Sequence, residues 1–314
     1  LVHSQSKGVH SCHPQYLEVV RVAGLYRDTR RVSPRVSVVV PVFNGMPYLP
    51  ALTESLLAQT FTDLEIIFSD GGSNDGSLEF LRSVDDPRVR LITIAPESGA
   101  AANWTAATNA ACGEFTKLIC QDDLLYPSAI DHQVQSLDSC PGAVMAVATR
   151  DIVDARGRVI YRGRGLNGIG AGLTSVPGSE AIRACYLAGT NILGEPLAAL
   201  FRTDVLQGHM PWTDDNPLML DLSLYQRVAP EGTIALSRSP IGAFRVSDAS
   251  WSTRLVAKQS EQTLRWQEGY AATAVPPVTK RERSTAKWGR RRQIATRRIA
   301  YSVLRARGAL WVEK

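Results

Sequence analysis

Apolar residues in the first half of the chain fall in short runs, separated by stretches with helical spacing. Residues 35–43 (RVSVVVPVF) set β-branched side chains side by side up to Pro41 and read as a buried strand entering a loop. The following PYLPALTESLLAQT places Leu49, Leu52, Leu56 and Leu57 on one helical face. The alternation then repeats. LEIIFSD (64–70) reads as a strand, GGSNDGS as a turn-rich loop, and SLEFLRSV as a helix with Ser77 or Asp75 as its cap. VRLITIA (89–95) is a third strand, AANWTAATNAAC (101–112) an Ala-rich helix, and EFTKLIC (114–120) a fourth strand, with Lys117 expected to point to solvent. This order predicts parallel βαβ units in a doubly wound α/β sheet. Ligands of such sheets lie beyond the carboxyl ends of the strands, where this chain carries PVFNG, SDGGSNDGS and QDD.

The second half is less regular. AVMAVATRDIVDARGRVIYRG reads as two strands joined by a D-A-R-G turn, and residues 163–178 as Gly-rich loop. GSEAIRACYLAG and PLMLDLSLYQRVA have amphipathic helical spacing, and TIALSRSPIGAFRVS is a late strand region. Residues 1–34 are polar and irregular, and the segment after Pro276-Pro277 stands apart as a tail.

Composition narrows the class. With 44% hydrophobic and 21% charged residues, the chain is an ordinary globular one. No window reaches the ~18 consecutive apolar residues that a bilayer span needs. The first fifteen residues have no apolar core of a secretory signal, so a cytoplasmic protein is expected. The cysteines at 12, 112, 120, 140 and 185 lack C-x-x-C spacing and read as free thiols in a reducing compartment. The formal charge of +5 is unevenly placed: residues 280–314 carry twelve Lys/Arg and two Glu, a net of +10, so the first 279 residues sum to −5. A nucleic-acid-binding surface on the body is therefore not expected.

Asp122 and Asp123 sit where an apolar run stops. Two adjacent carboxylates there suit either a solvated turn or a hard cation such as Mn²⁺ or Mg²⁺ shared with a diphosphate. Taken together, VSVVVPVFNGMPYL (36–49), LEIIFSDGGSNDGSLEFL (64–81) and GEFTKLICQDDLLYP (113–127) resemble the family 2 glycosyltransferases, which have the GT-A fold. Further on, GTNILGEPLAALFR (189–202), MLDLSLYQRV (219–228) and IGAFRVSDAS (241–250) are similar to a bacterial branch that builds surface polysaccharides and glycolipids.

The resemblance implies roles. Asp123 would be the metal ligand, with Asp122 on the metal or the ribose, although the first acidic position of the motif reads Cys120. Asp70 would accept from the imide N–H of uracil or thymine, with Gly71 where many members have a second Asp. Pro41, Phe43 and Asn44 would flank the base, Phe43 being equally readable as core, and Asn103 would lie near the nucleotide. Trp104 is expected to pack. Inverting transfer needs a base for the acceptor hydroxyl, and the family places an Asp at a helix start; here that is Asp221, with Leu220 in place of a Glu and Asp214 and Asp215 as rivals. Glu195 and Arg245 would stand in loops near the sugars, and Ser247 occupies a position where relatives carry His.

The implied organisation is an N-terminal extension (1–34), a nucleotide-sugar-binding half (35–127), an acceptor-binding half of the same GT-A domain (128–275) and a basic amphipathic tail (276–314). The expected activity is metal-dependent, inverting transfer from a UDP- or dTDP-sugar to a glycan or lipid-linked acceptor, with no nucleic-acid partner. The tail mixes Arg and Lys with Trp288, Ile294, Ile299 and Trp311, which suits the inner face of an anionic membrane or docking on the body. A non-catalytic sugar-nucleotide-binding subunit is the competing reading. A dinucleotide-dependent oxidoreductase is disfavoured, since no G-x-G-x-x-G follows the first strand.

Overall fold

A computed structural model describes residues 33–248, 250, 253 and 258–310. The expected N-terminal extension falls almost wholly outside them, as do Cys12 and Trp311. Strands β1 (Val36–Val42), β2 (Leu64–Asp70), β3 (Val89–Thr93) and β4 (Phe115–Leu118) are joined by helices α1 (Leu49–Leu57), α2 (Ser77–Arg82) and α3 (Gly99–Asn109). β1 pairs in parallel with β2 and β4, and β2 with β3, as the alternation predicts. β1 is buried on both faces. Val36, Val38, Val40 and Val42 join one core with Leu49, Leu52 and Leu56, while Val39 joins the other with Ile67 and Leu118. That is why the strand reads as an unbroken apolar run rather than an alternating one.

After β5 (Leu124–Leu125) and α4 (Ala129–Asp138) the chain departs from the expected pattern. The stretch read as two strands forms three: β6 (Ala143–Ala148), β7 (Arg150–Val153) and β8 (Val159–Arg164). β6 belongs to the large sheet. At Thr149 the chain leaves it, and β7 and β8 form the D-A-R-G hairpin in a second sheet. β9 (Ser175–Pro177), α5 (Gly178–Ala188), β10 (Ala199–Arg202), α6 (Thr203–Gly208) and α7 (Leu220–Val228) follow, then β11 (Thr233–Ser237) and β12 (Gly242–Arg245). The eight-stranded sheet runs β3-β2-β1-β4-β10-β6-β11-β9, antiparallel around β10 and at the β9 edge and parallel elsewhere; the small sheet runs β5-β12-β7-β8. α8 (Gln259–Thr273) and α9 (Lys280–Ala306) close the described chain, and α9 packs along α5.

Lys117 corrects the sequence expectation. β4 is an interior strand, between β1 and β10, and Lys117 on it is fully buried. Its ammonium donates to Gln133 Oε1 at 2.7 Å, to Ala199 O at 3.1 Å and to Leu197 O. Burial pushes its pKa well down.

Candidate active site

The crevice beyond β1, β2 and β4 is built from three loops. Asp70 ends β2 and is buried; its Oδ2 accepts from Gly72 N at 3.0 Å and Ser73 N at 3.1 Å, while Oδ1 has no partner. Gly72 takes φ +85°, and a Cβ there would lie 2.5 Å from Pro96, so only glycine lets the loop pass that close to it. In the loop after β1, Phe43 is 56% exposed, which excludes the core reading. Gln121 ties that loop to the acidic motif: its Oε1 accepts from Phe43 N at 2.7 Å and its Nε2 donates to Phe43 O at 2.9 Å. Asn44 Oδ1 accepts from Asn74 N at 2.9 Å, linking the β1 and β2 loops.

Two of the residues expected at the nucleotide belong to the frame. Pro41 is not in the loop but inside β1, in register with Ser69 and buried, because the strand runs on to Val42. Asn103 is buried on α3; its Nδ2 donates to Val42 O at 2.9 Å and its Oδ1 accepts from Ser69 Oγ at 2.6 Å. It braces the ends of β1 and β2. A Cβ on Gly71 would lie 3.0 Å from the Asn103 amide, which accounts for glycine where the resemblance expects an acid. Trp104 packs as expected, edge-on to Trp212 with centroids 5.0 Å apart.

The acidic motif turns directly after β4, with Asp123 N donating to Cys120 O at 3.2 Å. Asp123 is fully buried. Its Oδ1 accepts from Arg245 N at 3.0 Å, and its Oδ2 finds no partner. Burial, and then the neighbouring Asp122, holds the Asp123 carboxyl well above the ordinary range; burial also raises Asp122. A buried carboxylate oxygen without a partner, beside a second carboxylate, calls for a proton or a cation. A hard divalent ion fits, since such ions use one or two carboxylates and complete their shell with phosphate and water. Among the described residues no three His, Cys, Asp or Glu side chains cluster as metal ligands.

Arg245 is not free to meet a sugar. Its Nε donates to Asp122 O at 2.8 Å, its Nη1 to Ala155 O at 3.2 Å, and its guanidinium lies 4.6 Å from the centroid of the Tyr48 ring. It holds the acid pair from behind. Ser247, at the expected His position, pairs with Ser250 Oγ at 3.0 Å, and Ser250 reaches Asp122 Oδ2 at 3.5 Å.

Asp221 occupies the first turn of α7. Its Oδ2 accepts from Asn191 Nδ2 at 2.8 Å and its Oδ1 from Leu222 N at 2.6 Å. Burial raises its pKa to about 6, offset in part by the Asn191 bond and reinforced by Glu195. Its rivals Asp214 and Asp215 are exposed, ahead of the short helical turn Pro217–Met219 that leads into α7. Glu195 is ion-paired with Arg150, itself buried, which also donates to Arg164 O at 2.9 Å. Cys120 lies just ahead of the acid pair. Its thiol pKa is pushed well up, first by burial and then by the charges of Asp123, Asp122, Asp221 and Glu195.

Asn191 and Arg150 were missed in the sequence. Asn191 stands in N-I-L-G, where an Asn ahead of a glycine signals a side-chain-closed turn; its Oδ1 accepts from Leu193 N and Gly194 N. Arg150 carries no local signal, being one of many arginines after an apolar run.

Comparison with known proteins accords with this geometry. Residues 37–207, more than half of the chain, match the family model described as Glycosyl transferase family 2. An uncharacterized glycosyltransferase of Rickettsia typhi is 30% identical over 130 residues, covering 41% of this chain and 40% of that protein. The succinoglycan biosynthesis protein ExoO of Rhizobium meliloti is 30% identical over 125 residues, covering 40% and 36%. The chain thus spans about two fifths of the length of these curated relatives. Among solved structures, Staphylococcus aureus TarS 1–349 superposes with a TM-score of 0.56 at 16% identity, over 76% of this chain and 66% of that one. The mannosyltransferase PcManGT of Pyrobaculum calidifontis, in complex with GDP-Man and Mn²⁺, gives 0.53 at 17% identity, over 89% and 81%. At such identities the likeness shows the fold, which is GT-A. With the motif order, the topology and the family match in agreement, the chain belongs to glycosyl transferase family 2.

Proposed function

We propose that the chain is an inverting, metal-dependent glycosyltransferase that moves a sugar from a UDP- or dTDP-linked donor to a glycan or lipid-linked acceptor in cell-envelope polysaccharide or glycolipid synthesis. The buried Asp123, with Oδ1 fixed by Arg245 N and Oδ2 unpartnered, carries this reading, with Asp221 held by Asn191 as the candidate base. Asp70 Oδ1, buried without a partner, suits the imide N–H of the base, with Phe43 and Asn44 beside it. Asp123, with Asp122, would hold a divalent cation, which when bound neutralises the charge of a departing diphosphate. Asp221 takes the proton of the acceptor hydroxyl as its oxygen bonds the anomeric carbon and the bond to the diphosphate breaks. A carboxylate with a pKa of about 6 is well poised for that role near neutral pH. Glu195, ion-paired with Arg150, would accept from sugar hydroxyls.

The tail extends the reading to location. On α9, Trp288 is 72%, Ile299 66% and Val303 42% exposed, among exposed Lys287, Arg291, Arg292 and Arg298. Ile160, Tyr161, Ile299 and Val303 line a groove of about 270 Å³ between β8 and α9. No helix among the described residues is long and apolar enough to cross a membrane. This face suits an anionic bilayer surface, with α9 in its plane and docked on the body. The proposed site of action is the inner face of the plasma membrane.

The test is a nucleoside-diphosphate panel in thermal shift with and without Mn²⁺, followed by transfer of labelled sugar to extracted acceptors. Cys120, Leu220 and Ser247, at positions where the resemblance expects polar ligands, favour one second reading, a subunit that binds sugar nucleotide without transferring it. UDP binding with no turnover on a broad acceptor panel would establish that reading instead.

A further inference from the structure

We infer that α9 belongs to the catalytic apparatus, with Arg297 acting as a positioning residue for Asp221 through Thr190 and Asn191. The inference rests on the reading of Asp221 as the base.

The tail helix is seated on α5 backbone to backbone. A Cβ on Gly189 would lie 2.4 Å from Arg290 N, and one on Gly289 would lie 2.2 Å from Leu187 O, so the crossing tolerates no side chain on either helix. Flanking bonds fix the register. Arg183 Nε meets Glu282 Oε1 at 2.7 Å, and Gln267 Nε2 donates to Tyr186 O at 2.9 Å and to Ala286 O at 3.1 Å. Gly189, at φ +66°, ends α5 and leads directly into the loop that holds the base.

Within that loop the connection is continuous. Arg297 Nη2 donates to Thr190 Oγ1 at 3.2 Å. The next residue, Asn191, donates to Gly194 O at 2.7 Å and Asp221 Oδ2 at 2.8 Å. A shift of α9 therefore reaches the carboxylate through two adjacent residues, with no flexible segment between. Arg297 is also the tail's cation near Asp221 and favours its ionised form against Glu195. The other titratable groups that sense Asp221 are Cys120, Cys185 and Tyr225, and Arg150 lies among them beside Tyr225 and Glu195. A tail that merely tethers the protein needs neither the glycine crossing nor an inward arginine.

The experiment compares Arg297→Ala and Arg297→Lys in the full chain, with Asp221→Asn as the reference, by steady-state transfer and by amide hydrogen exchange. For Arg297→Ala we expect kcat to fall roughly tenfold, the loss of about one oriented interaction in the transition state, with donor KM within about twofold. The acid limb of kcat against pH should move to higher pH, since a cation that favours the ionised base is gone. Exchange should quicken across residues 189–195 while α5 and α9 stay protected. Arg297→Lys should restore the acid limb but only part of kcat, keeping the charge without the fork. Unchanged kcat with unchanged exchange at 189–195 overturns the inference, as does a loss that follows only the melting temperature. Wild-type transfer by Asp221→Asn would remove the base reading itself; the exchange measurement then decides alone whether α9 holds this loop.

Discussion

The backbone N–H of Arg245 donates to Asp123 Oδ1 at 3.0 Å and leaves Oδ2 buried without a partner. One oxygen is thus fixed by the protein, and the other is the one that the proposed cation would meet. Asp123→Asn should keep the bond to Arg245 N and lose the open anionic oxygen. In thermal shift, UDP with Mn²⁺ should stabilise the wild type by about 2.7 kcal/mol at a hundredfold excess over Kd. The variant should show no Mn²⁺-dependent shift, and an undiminished one would remove Asp123 as the ligand.

Asp221→Asn should leave donor binding intact and stop transfer. In the wild type, kcat should fall as pH drops through about 6, where the base becomes protonated. The same shift has a consequence for stability. The folded-state pKa lies above the ordinary carboxylate value, so the neutral form is favoured by folding. That contribution is full below pH ~4 and is lost as pH rises through about 6. At pH 8 Asp221→Asn should therefore be the more stable protein, by on the order of 2 kcal/mol, with the gap closing toward pH 4. Denaturant melts at both pH values check the sign.

Asp70→Ala removes the acceptor for Gly72 N and Ser73 N as well as the free Oδ1. Donor KM should rise about tenfold or more, the scale of one charge-assisted bond, with a smaller effect on kcat. Asp70→Asn, whose carbonyl still accepts from the loop, should fold normally yet bind UDP less tightly. Equal affinity for the two proteins in calorimetry would contradict the assignment.

Lys117→Met is nearly isosteric but strands Gln133 Oε1, Leu197 O and Ala199 O in the interior. A loss of about 3 kcal/mol is expected in chemical denaturation, because removing the donor leaves buried acceptors unsatisfied. Glu195 lies just ahead of Leu197, so a drop in kcat beyond the stability effect is expected as well.

Trp288→Ser combined with Ile299→Ser should reduce flotation with vesicles rich in anionic lipid without changing the melting temperature, both side chains being mostly exposed. Binding should weaken with salt, and neutral vesicles should capture little protein. Flotation that is unchanged in the double variant would rule out this face as the membrane contact.

The first four strands and three helices were legible because each is a local pattern. β2 falls on residues 64–70 as read, since its apolar run is bounded by turn residues on both sides. The acidic pair and Asp221 were singled out through the resemblance, and the structure buries Asp123 and bonds Asp221 to Asn191. Lys117 was misread because its burial depends on β10, which pairs beside it from some eighty residues away. Thr149 and Arg150 were misread for a related reason: the change of sheet there is set by partners at Ser237 and Arg164, not by local composition.

The sequence by itself determined the doubly wound first half and the crevice loops, which follow from periodicity and turn chemistry, while its resemblance to the family singled out the carboxylates. Only the tertiary structure decided what those carboxylates face. It placed Asn191 on Asp221, Arg150 on Glu195, Arg245 behind Asp123 and the tail helix against α5. Each is a long-range contact whose pull on a pKa or a hydrogen bond acts through space, and a linear pattern does not record distances across a crevice.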